Sequence, residues 1–113
     1  MMRDDAVLLD IAEAIRRIEM FRQGLDRQGF LADAKTQAAV LYEVAVMGEA
    51  VKRLSPEFRA RHPEIPWQRI AGMRDKLIHA YDAVDLVRVW EVVDRDLARL
   101  KAGIEPLLPK QDS

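Results

Sequence analysis

The sequence predicts an all-α fold, an up-and-down four-helix bundle with a short extra helix between helices two and three. Apolar residues recur at spacings of three and four along most of the chain, which is the period of an amphipathic helix. No stretch alternates between apolar and polar residues as a half-buried strand would, and no Asn-Gly hairpin or internal repeat occurs. Residue types that begin helices also stand at the start of the periodic stretches.

Length and composition predict a single domain over residues 1–113. The 113 residues are 50% hydrophobic and 33% charged with a net charge of -1, so the chain can bury a core and is not a disordered polymer. The absence of cysteine excludes disulfides, thiolate metal sites and a cysteine nucleophile. Acidic residues interrupt the N-terminal apolar stretch and no later apolar run is long enough for a membrane span, so we expect a cytoplasmic protein.

The first long helix is predicted from Asp4 to about Gly24. Its apolar residues form one stripe and are Leu8, Ile11, Ile15 and Ile18. Gly24 and Gly29 bracket a short break that separates this helix from the next.

The second long helix is predicted to begin after Asp33, a suitable N-cap, and to run to about Leu54. Its apolar residues cover more than one stripe and include Val40, Leu41, Val44, Ala45, Met47 and Val51. A helix that is apolar over this width must bury two faces. It is therefore either central in the bundle or shared with a second chain.

A short helix is predicted next, with Ser55 as its N-cap and Pro56 in its first position. Residues 62–66 contain two prolines and form a rigid extended connector. The third long helix then runs from Trp67 through Tyr81.

The fourth long helix is predicted from Asp85, its cap, to Pro106. Its apolar residues follow a four-three rhythm and are Leu86, Trp90, Val93, Leu97, Leu100 and Ile104. Residues 107–113 are predicted to be a frayed tail.

Charge is unevenly distributed along the chain. Residues 1–51 carry a net charge of -3, residues 52–76 carry +4 and residues 77–113 carry -2. The basic middle segment is either a surface that faces phosphates or an ordinary solvated face.

The candidate chemistry lies in the third long helix, where Arg74, Asp75, His79 and Tyr81 stand close together in sequence. On a regular helix, Asp75 and His79 lie about 40 degrees apart, and Arg74 and Tyr81 lie about 20 degrees apart. Arg74 and His79 point about 140 degrees apart. Their convergence requires the reach of the arginine, a distorted helix, or the same helix from a second protomer.

These side chains suit cleavage of a phosphodiester without a metal ion. His79 is able to exchange a proton near neutral pH, and Arg74 supplies a permanent forked donor for the charge that develops on the phosphate. Asp75 is able to fix the tautomer of His79. The alternative is structural, with a surface histidine and ordinary ion pairs.

Several segments resemble the HepT-like branch of the HEPN superfamily, the toxins of HEPN and MNT toxin-antitoxin pairs. These segments are residues 65–67, 73–75, 79–81, 84–85 and Trp90, together with a Gly-Glu-Ala segment within residues 46–50. The motif of this branch is matched by Arg74, Asp75, His79 and Tyr81, and the resemblance covers about residues 5–106. Asp75 is a departure, because asparagine is common at that position.

The resemblance implies a HEPN-like bundle and a metal-independent ribonuclease that needs no cofactor. It implies a homodimer or higher symmetric oligomer whose two motif copies line a shared cleft, with RNA as the substrate. It also implies an MNT-type nucleotidyltransferase antitoxin as the partner, which attaches AMP to Tyr81. The alternative is a non-catalytic HEPN module that binds a nucleotide or docks a nucleotidyltransferase.

Two further residues have two interpretations each. Glu49 is either a buried acid paired with a basic residue near the cleft, favoured because it follows Gly48, or a surface charge. Tyr81 lies about 160 degrees from His79, so it is not expected to be a catalytic base. It is either the modified residue or a tyrosine that only caps the helix end.

Overall fold

The computed structural model describes residues 3–79 and 84–109, and all of its regular elements within those ranges are helical. The predicted all-α bundle is confirmed. The α-helices are α1 (Arg3–Arg22), α2 (Arg27–Leu31), α3 (Ala34–Arg53), α4 (Pro56–Arg61), α5 (Trp67–His79), α6 (Leu86–Glu91) and α7 (Leu97–Ile104). A π-helical turn, Val92–Asp96, joins α6 to α7, and the three elements form one continuous rod, called the α6–α7 rod below. The 3-10 turn Glu105–Leu107 ends the rod.

The helix caps predicted from the sequence are confirmed. The side chains of Asp33 and Ser55 each accept a hydrogen bond of 3.1 Å from the backbone N–H three residues later. Asp85 accepts one of 3.0 Å from the N–H two residues later. Ser55 is also held from α1, because its backbone N–H and its hydroxyl donate to the carboxylate of Asp4 at 2.9 and 2.8 Å. The start of α4 is thereby fixed to the start of α1.

The break predicted between Gly24 and Gly29 contains a helix that the sequence did not reveal. Gly24 ends α1 in the left-handed region, with φ of +79°. Asp26 then caps α2 by accepting a hydrogen bond of 2.8 Å from the backbone N–H of Gly29. The short helix places Phe30 in the core, where its ring lies 5.4 Å from the ring of Trp90. The glycine inside α2 lowers the local helix propensity, so this helix could not be predicted from the sequence and is stabilised mainly by tertiary packing.

Helix α3 occupies the centre of the bundle, with α1 packed on one side and α5 on the other. Val40, Val44, Met47 and Val51 are fully buried between these neighbours. The central position accounts for the width of its apolar surface. Of its large apolar or aromatic residues, Tyr42 points away from the core and is 66% exposed.

The π-helical turn is a second feature that the four-three rhythm did not predict. It lies in the middle of the α6–α7 rod and turns Asp96 inward, where the side chain is buried and accepts a hydrogen bond of 2.8 Å from Nε of Arg69 on α5. Arg22 supports the same turn from α1. Its Nη1 donates to the carbonyl of Val93 at 3.2 Å, and its guanidinium lies 4.6 Å from the centre of the Trp90 ring.

The connector and the end of the α6–α7 rod close the core. Ile65 packs against Gly103, where an added Cβ would lie 2.6 Å from Cγ1 of the isoleucine. Leu107 and Leu108, at the start of the segment predicted to be a frayed tail, are half-buried against the core. The rest of that prediction, residues 110–113, lies outside the described residues. Within residues 3–79 and 84–109, no helix is both long and apolar enough to cross a membrane.

Candidate active site

Arg74 lies where α5 and α3 approach each other closely. A Cβ added at Gly48 would lie 2.3 Å from Cβ of Arg74 and 3.0 Å from the carbonyl oxygen of Ile70. The first distance is shorter than real Cβ contacts and the second is tight, so any residue other than glycine would force α3 and α5 apart. Gly48 therefore lets the backbone of α5 rest on α3, and this contact fixes the base of the Arg74 side chain, which is only 22% exposed.

Two carboxylates hold the guanidinium of Arg74. Nη2 lies 2.8 Å from Oε2 of Glu49 on α3, and Nη1 lies 3.1 Å from Oδ1 of Asp75. The predicted pairing of Glu49 with a basic residue is confirmed, but its predicted burial is wrong, since the side chain is 50% exposed. The physical reason is that Gly48 occupies the contact with α5, so the next residue of α3 is turned by about 100 degrees toward solvent.

Asp75 is held both from α3, by Lys52, and from its own helix, by Arg74. Lys52 Nζ lies 2.9 Å from Oδ1 of Asp75, and this hydrogen bond, followed by the one from Arg74, lowers the pKa of the aspartate below its ordinary value. No hydrogen bond or ion pair joins Asp75 to His79, both of which the structure describes. The prediction that Asp75 orients His79 is therefore wrong in this structure, because two cations already engage its carboxylate.

Lys52 is a member of this site that the sequence reasoning missed. It stands three residues after Glu49 on α3, so helical periodicity alone places the two side chains on neighbouring stripes. Its contact with Asp75 depends on how α3 and α5 pack, which the sequence does not state. Glu49, Lys52, Arg74 and Asp75 thus form a chain of ion pairs with no net charge.

His79 is the last residue of α5 within the described range, and it is exposed. Residues 67–79 form a regular α-helix, so the distorted helix that would have brought Arg74 and His79 together is excluded. The two residues lie about 7.5 Å apart along the axis and about 140 degrees apart around it. Tyr81 lies outside the described residues 3–79 and 84–109.

The geometry prepares Arg74 to exchange partners. Its two terminal nitrogens face carboxylates that are about half exposed, 50% for Glu49 and 45% for Asp75. Such exposed ion pairs are worth only about 0–1 kcal/mol each, so a phosphate is able to replace one carboxylate at little cost. A planar guanidinium then binds two phosphate oxygens at once. Among the described residues, no three or more His, Asp or Glu side chains form a group that could hold a metal ion.

Comparisons with known proteins match nearly the whole chain. The family model described as "Ribonuclease HepT-like" matches residues 11–107. A protein of Thermococcus cleftensis named "Probable ribonuclease HepT" is 48% identical over 100 residues, which cover 88% of this chain and 91% of that protein. "Putative RNase TTE0752" of Caldanaerobacter subterraneus subsp. tengcongensis is 37% identical over 89 residues, covering 79% of this chain and 80% of the relative.

A third relative comes from Methanocaldococcus jannaschii. "Putative RNase MJ1216" is 36% identical over 103 residues, which cover 91% of this chain and 85% of that protein. No solved structure matches the chain.

Proposed function

The chain belongs to the HepT-like ribonuclease family, and from that membership we propose that it is an RNA endonuclease that works without a metal ion. The observation that carries the proposal is the position of Arg74, whose backbone rests on Gly48 while its guanidinium is held by two half-exposed carboxylates. A forked cation that is fixed at its base and easily freed at its tip suits the binding of a phosphodiester. His79 supplies a proton-transfer group on the same helix.

The proposed reaction uses the ribose 2'-hydroxyl as the nucleophile. His79 accepts the proton of this hydroxyl as its oxygen forms a bond to phosphorus. The bond from phosphorus to the 5'-oxygen breaks, and a protonated histidine returns a proton to the leaving oxygen. The products are a 2',3'-cyclic phosphate and a 5'-hydroxyl. Arg74 binds the non-bridging oxygens, where negative charge increases in the transition state.

The proposal includes a symmetric homodimer. Arg74 and His79 diverge on one regular helix, so a cleft between two copies of α5 brings an arginine of one copy toward a histidine of the other. Exposed apolar and aromatic side chains beside the site support this arrangement. Ile78, 52% exposed, follows Arg74 by four residues, and Tyr42, 66% exposed, precedes Glu49 by seven, so each lies on the stripe of its helix that carries the site.

The proposal also includes a partner. We propose that the chain is the toxin of a HEPN/MNT toxin-antitoxin pair, and that an MNT-type nucleotidyltransferase silences it by attaching AMP to Tyr81. Tyr81 follows Arg74 by seven residues, and this spacing supports the proposal because a continued helix places both on one stripe. A phosphate attached to the tyrosine would then compete with RNA for Arg74.

The test is incubation of the purified protein with total RNA and with a tRNA pool, followed by analysis of the new ends. Arg74→Ala and His79→Ala should each reduce cleavage by about a hundredfold or more. The matched control is His62→Ala, which removes the other histidine of the chain, a ring that packs 4.8 Å from the ring of Phe58. Chelators should have no effect, and the new ends should be 2',3'-cyclic phosphates.

Two outcomes would contradict the proposal. Cleavage that survives both substitutions would exclude these residues as the catalytic pair. A wild-type protein that cuts no RNA but still binds a nucleotide or a nucleotidyltransferase would instead favour the non-catalytic HEPN module.

A further inference from the structure

A groove lies on the side of α5 that carries His79 rather than Arg74. It has a volume of about 250 Å³ and separates α5 from the first part of the α6–α7 rod. Its lining includes Arg69, Gly72, Lys76, Arg88, Glu91 and Val92. The far wall therefore runs along α6 and ends at the first residue of the π-helical turn, and π-helical turns occur frequently at functional sites.

Three cations and one acid line this groove. Lys76 and Arg88 are exposed, and neither side chain makes an ion pair or hydrogen bond with any residue that the structure describes. Arg69 is fixed through Nε by the buried Asp96, which leaves its two terminal nitrogens without partners among those residues. The groove therefore presents donors and positive charge that the rest of the described chain does not neutralise.

Gly72 keeps the groove open. Glycine weakens the interior of a helix, so an interior glycine calls for a reason. Gly48 and Gly103 have one, because a Cβ at either position would collide with Arg74 or Ile65. A Cβ at Gly72 would meet nothing within 4 Å. The missing side chain thus satisfies no packing requirement within the described chain, and it leaves the backbone of α5 accessible from the groove.

The groove continues in both directions along α5. Gly72 and His79 are seven residues apart and about 20 degrees from each other around the helix, so the histidine lies on the same face of α5, beyond the groove residue Lys76. At its other end, Arg69 also lines a second groove of about 470 Å³. Arg59 lines that second groove, and its Nε is buried without a hydrogen-bond partner among the described residues. The two grooves share Arg69 and contain the cations Arg59, Arg69, Lys76 and Arg88, and together they are called the basic track below.

We propose that the basic track binds the backbone phosphates of the RNA strand on one side of the cleaved bond. This inference rests on the proposed function and adds the path of the substrate to it. Unpaired arginine and lysine side chains along an open groove are typical of sites that follow a nucleic-acid backbone. The residues described as lining the first groove include no aromatic ring on which a base could stack. Binding in the first groove is therefore to phosphates and is independent of the base sequence.

The sharpest test changes the sign of one charge inside the groove. Gly72→Lys and Gly72→Glu place side chains of similar length in the same open space, and Gly72→Ala is the neutral control. All three residues favour a helix more than glycine does, so folding is preserved. In a His79→Ala background, which prevents cleavage, fluorescence anisotropy measures the Kd of a labelled single-stranded oligouridine. We expect lysine to lower the Kd and glutamate to raise it by about fivefold each, the effect of one unit charge near a phosphate in water.

A second test removes charges from the track. Lys76→Ala/Arg88→Ala should weaken binding and reduce the slope of log affinity against log salt by about 1.4, or about 0.7 for each lost phosphate contact. The matched control is Arg95→Ala/Arg99→Ala, which removes two exposed charges from outside the groove and should leave the slope unchanged.

The inference is overturned if lysine and glutamate at position 72 act alike, or if both double variants weaken binding equally, because bulk charge would then explain the affinity. It is also overturned if RNA binding is unchanged and only binding of the nucleotidyltransferase is lost. The proposed function is tested separately, by cleavage with the wild-type protein. Cleavage with no dependence of binding on the groove would overturn the track alone, and groove-dependent binding without cleavage would overturn the endonuclease alone.

Discussion

Substitution of Gly48 by alanine should displace Arg74 by forcing α5 away from α3. The new Cβ would lie 2.3 Å from Cβ of Arg74, and ordinary contact begins at about 3.4 Å, so α3 and α5 must separate locally by about 1.1 Å. Both atoms are attached directly to helix backbones, and neither can swing aside as the end of a long side chain would. Overpacking of this kind costs about 1–3 kcal/mol, and alanine regains about 1 kcal/mol through its better helix propensity. We expect a net loss of up to about 2 kcal/mol in the free energy of unfolding.

The rate of RNA cleavage should fall by more than the loss of folding stability alone would cause. A displacement of about 1 Å at a group that binds the reacting phosphate is able to cost about a hundredfold in rate. Urea unfolding followed by circular dichroism gives the stability, and cleavage under conditions where the variant is fully folded gives the rate. Gly72→Ala is the matched control, since the same methyl group there meets nothing within 4 Å and should stabilise the protein. A Gly48→Ala protein that unfolds at the wild-type urea concentration and cleaves at the wild-type rate would refute this reasoning.

Three other predictions follow from the structure and the proposed function. Lys52 and Arg74 lower the pKa of Asp75 below 3.8, so the stability that this ion pair contributes is present above that pH and is lost as the pH falls through the lowered pKa. The urea midpoints of the wild type and Asp75→Asn should therefore converge in acid. At neutral pH the same substitution frees Nη1 of Arg74 and should raise cleavage by up to about fivefold, whereas a decrease would show that the carboxylate assists the reaction. Light scattering at micromolar concentration should give at least twice 13.0 kDa, and a mass of 13.0 kDa would contradict the shared cleft. Co-expression with the partner nucleotidyltransferase should add the mass of AMP to the wild type but not to Tyr81→Phe, and an unmodified Tyr81 in a neutralised complex would exclude the switch.

Local chemistry made much of the fold predictable. Asp33, Ser55 and Asp85 begin helices because their side chains accept hydrogen bonds from N–H groups two or three residues later, and that relation is written in the sequence. Helix α2 could not be predicted in the same way. Its glycine weakens the local preference for a helix, and burial of Phe30 against Trp90 compensates only in the folded bundle. The π-helical turn was hidden because the apolar rhythm of the rod suits an uninterrupted α-helix equally well.

In the candidate site too, features set by spacing along one helix were predictable, and features set by packing between helices were not. Spacing on α5 placed Arg74 and His79 on different faces, and the regular helix has that geometry. The sequence also predicted that Glu49 pairs with a basic residue near the cleft, because Glu49 follows a glycine able to admit a close neighbour, but it did not identify that residue as Arg74. The partner of Asp75 was not, since Lys52 reaches it from another helix at an angle set only by packing. The basic track could not be predicted from the sequence either, because the helices that form its walls come together only when the chain folds.

Because α3 lies between α1 and α5, its amide protons reach solvent only when the whole bundle opens. Native-state hydrogen exchange should therefore be slowest from about residue 40 to residue 51, at rates that report the free energy of global unfolding. The π-helical turn interrupts the α-helical hydrogen-bond pattern of the α6–α7 rod, so its amides should exchange through smaller and more frequent openings. Gly48 lies within the segment whose amides should exchange slowly. The support beneath Arg74 should thus persist through fluctuations that repeatedly loosen the opposite wall of the basic track, which lets the substrate path flex while the phosphate-binding arginine stays in place.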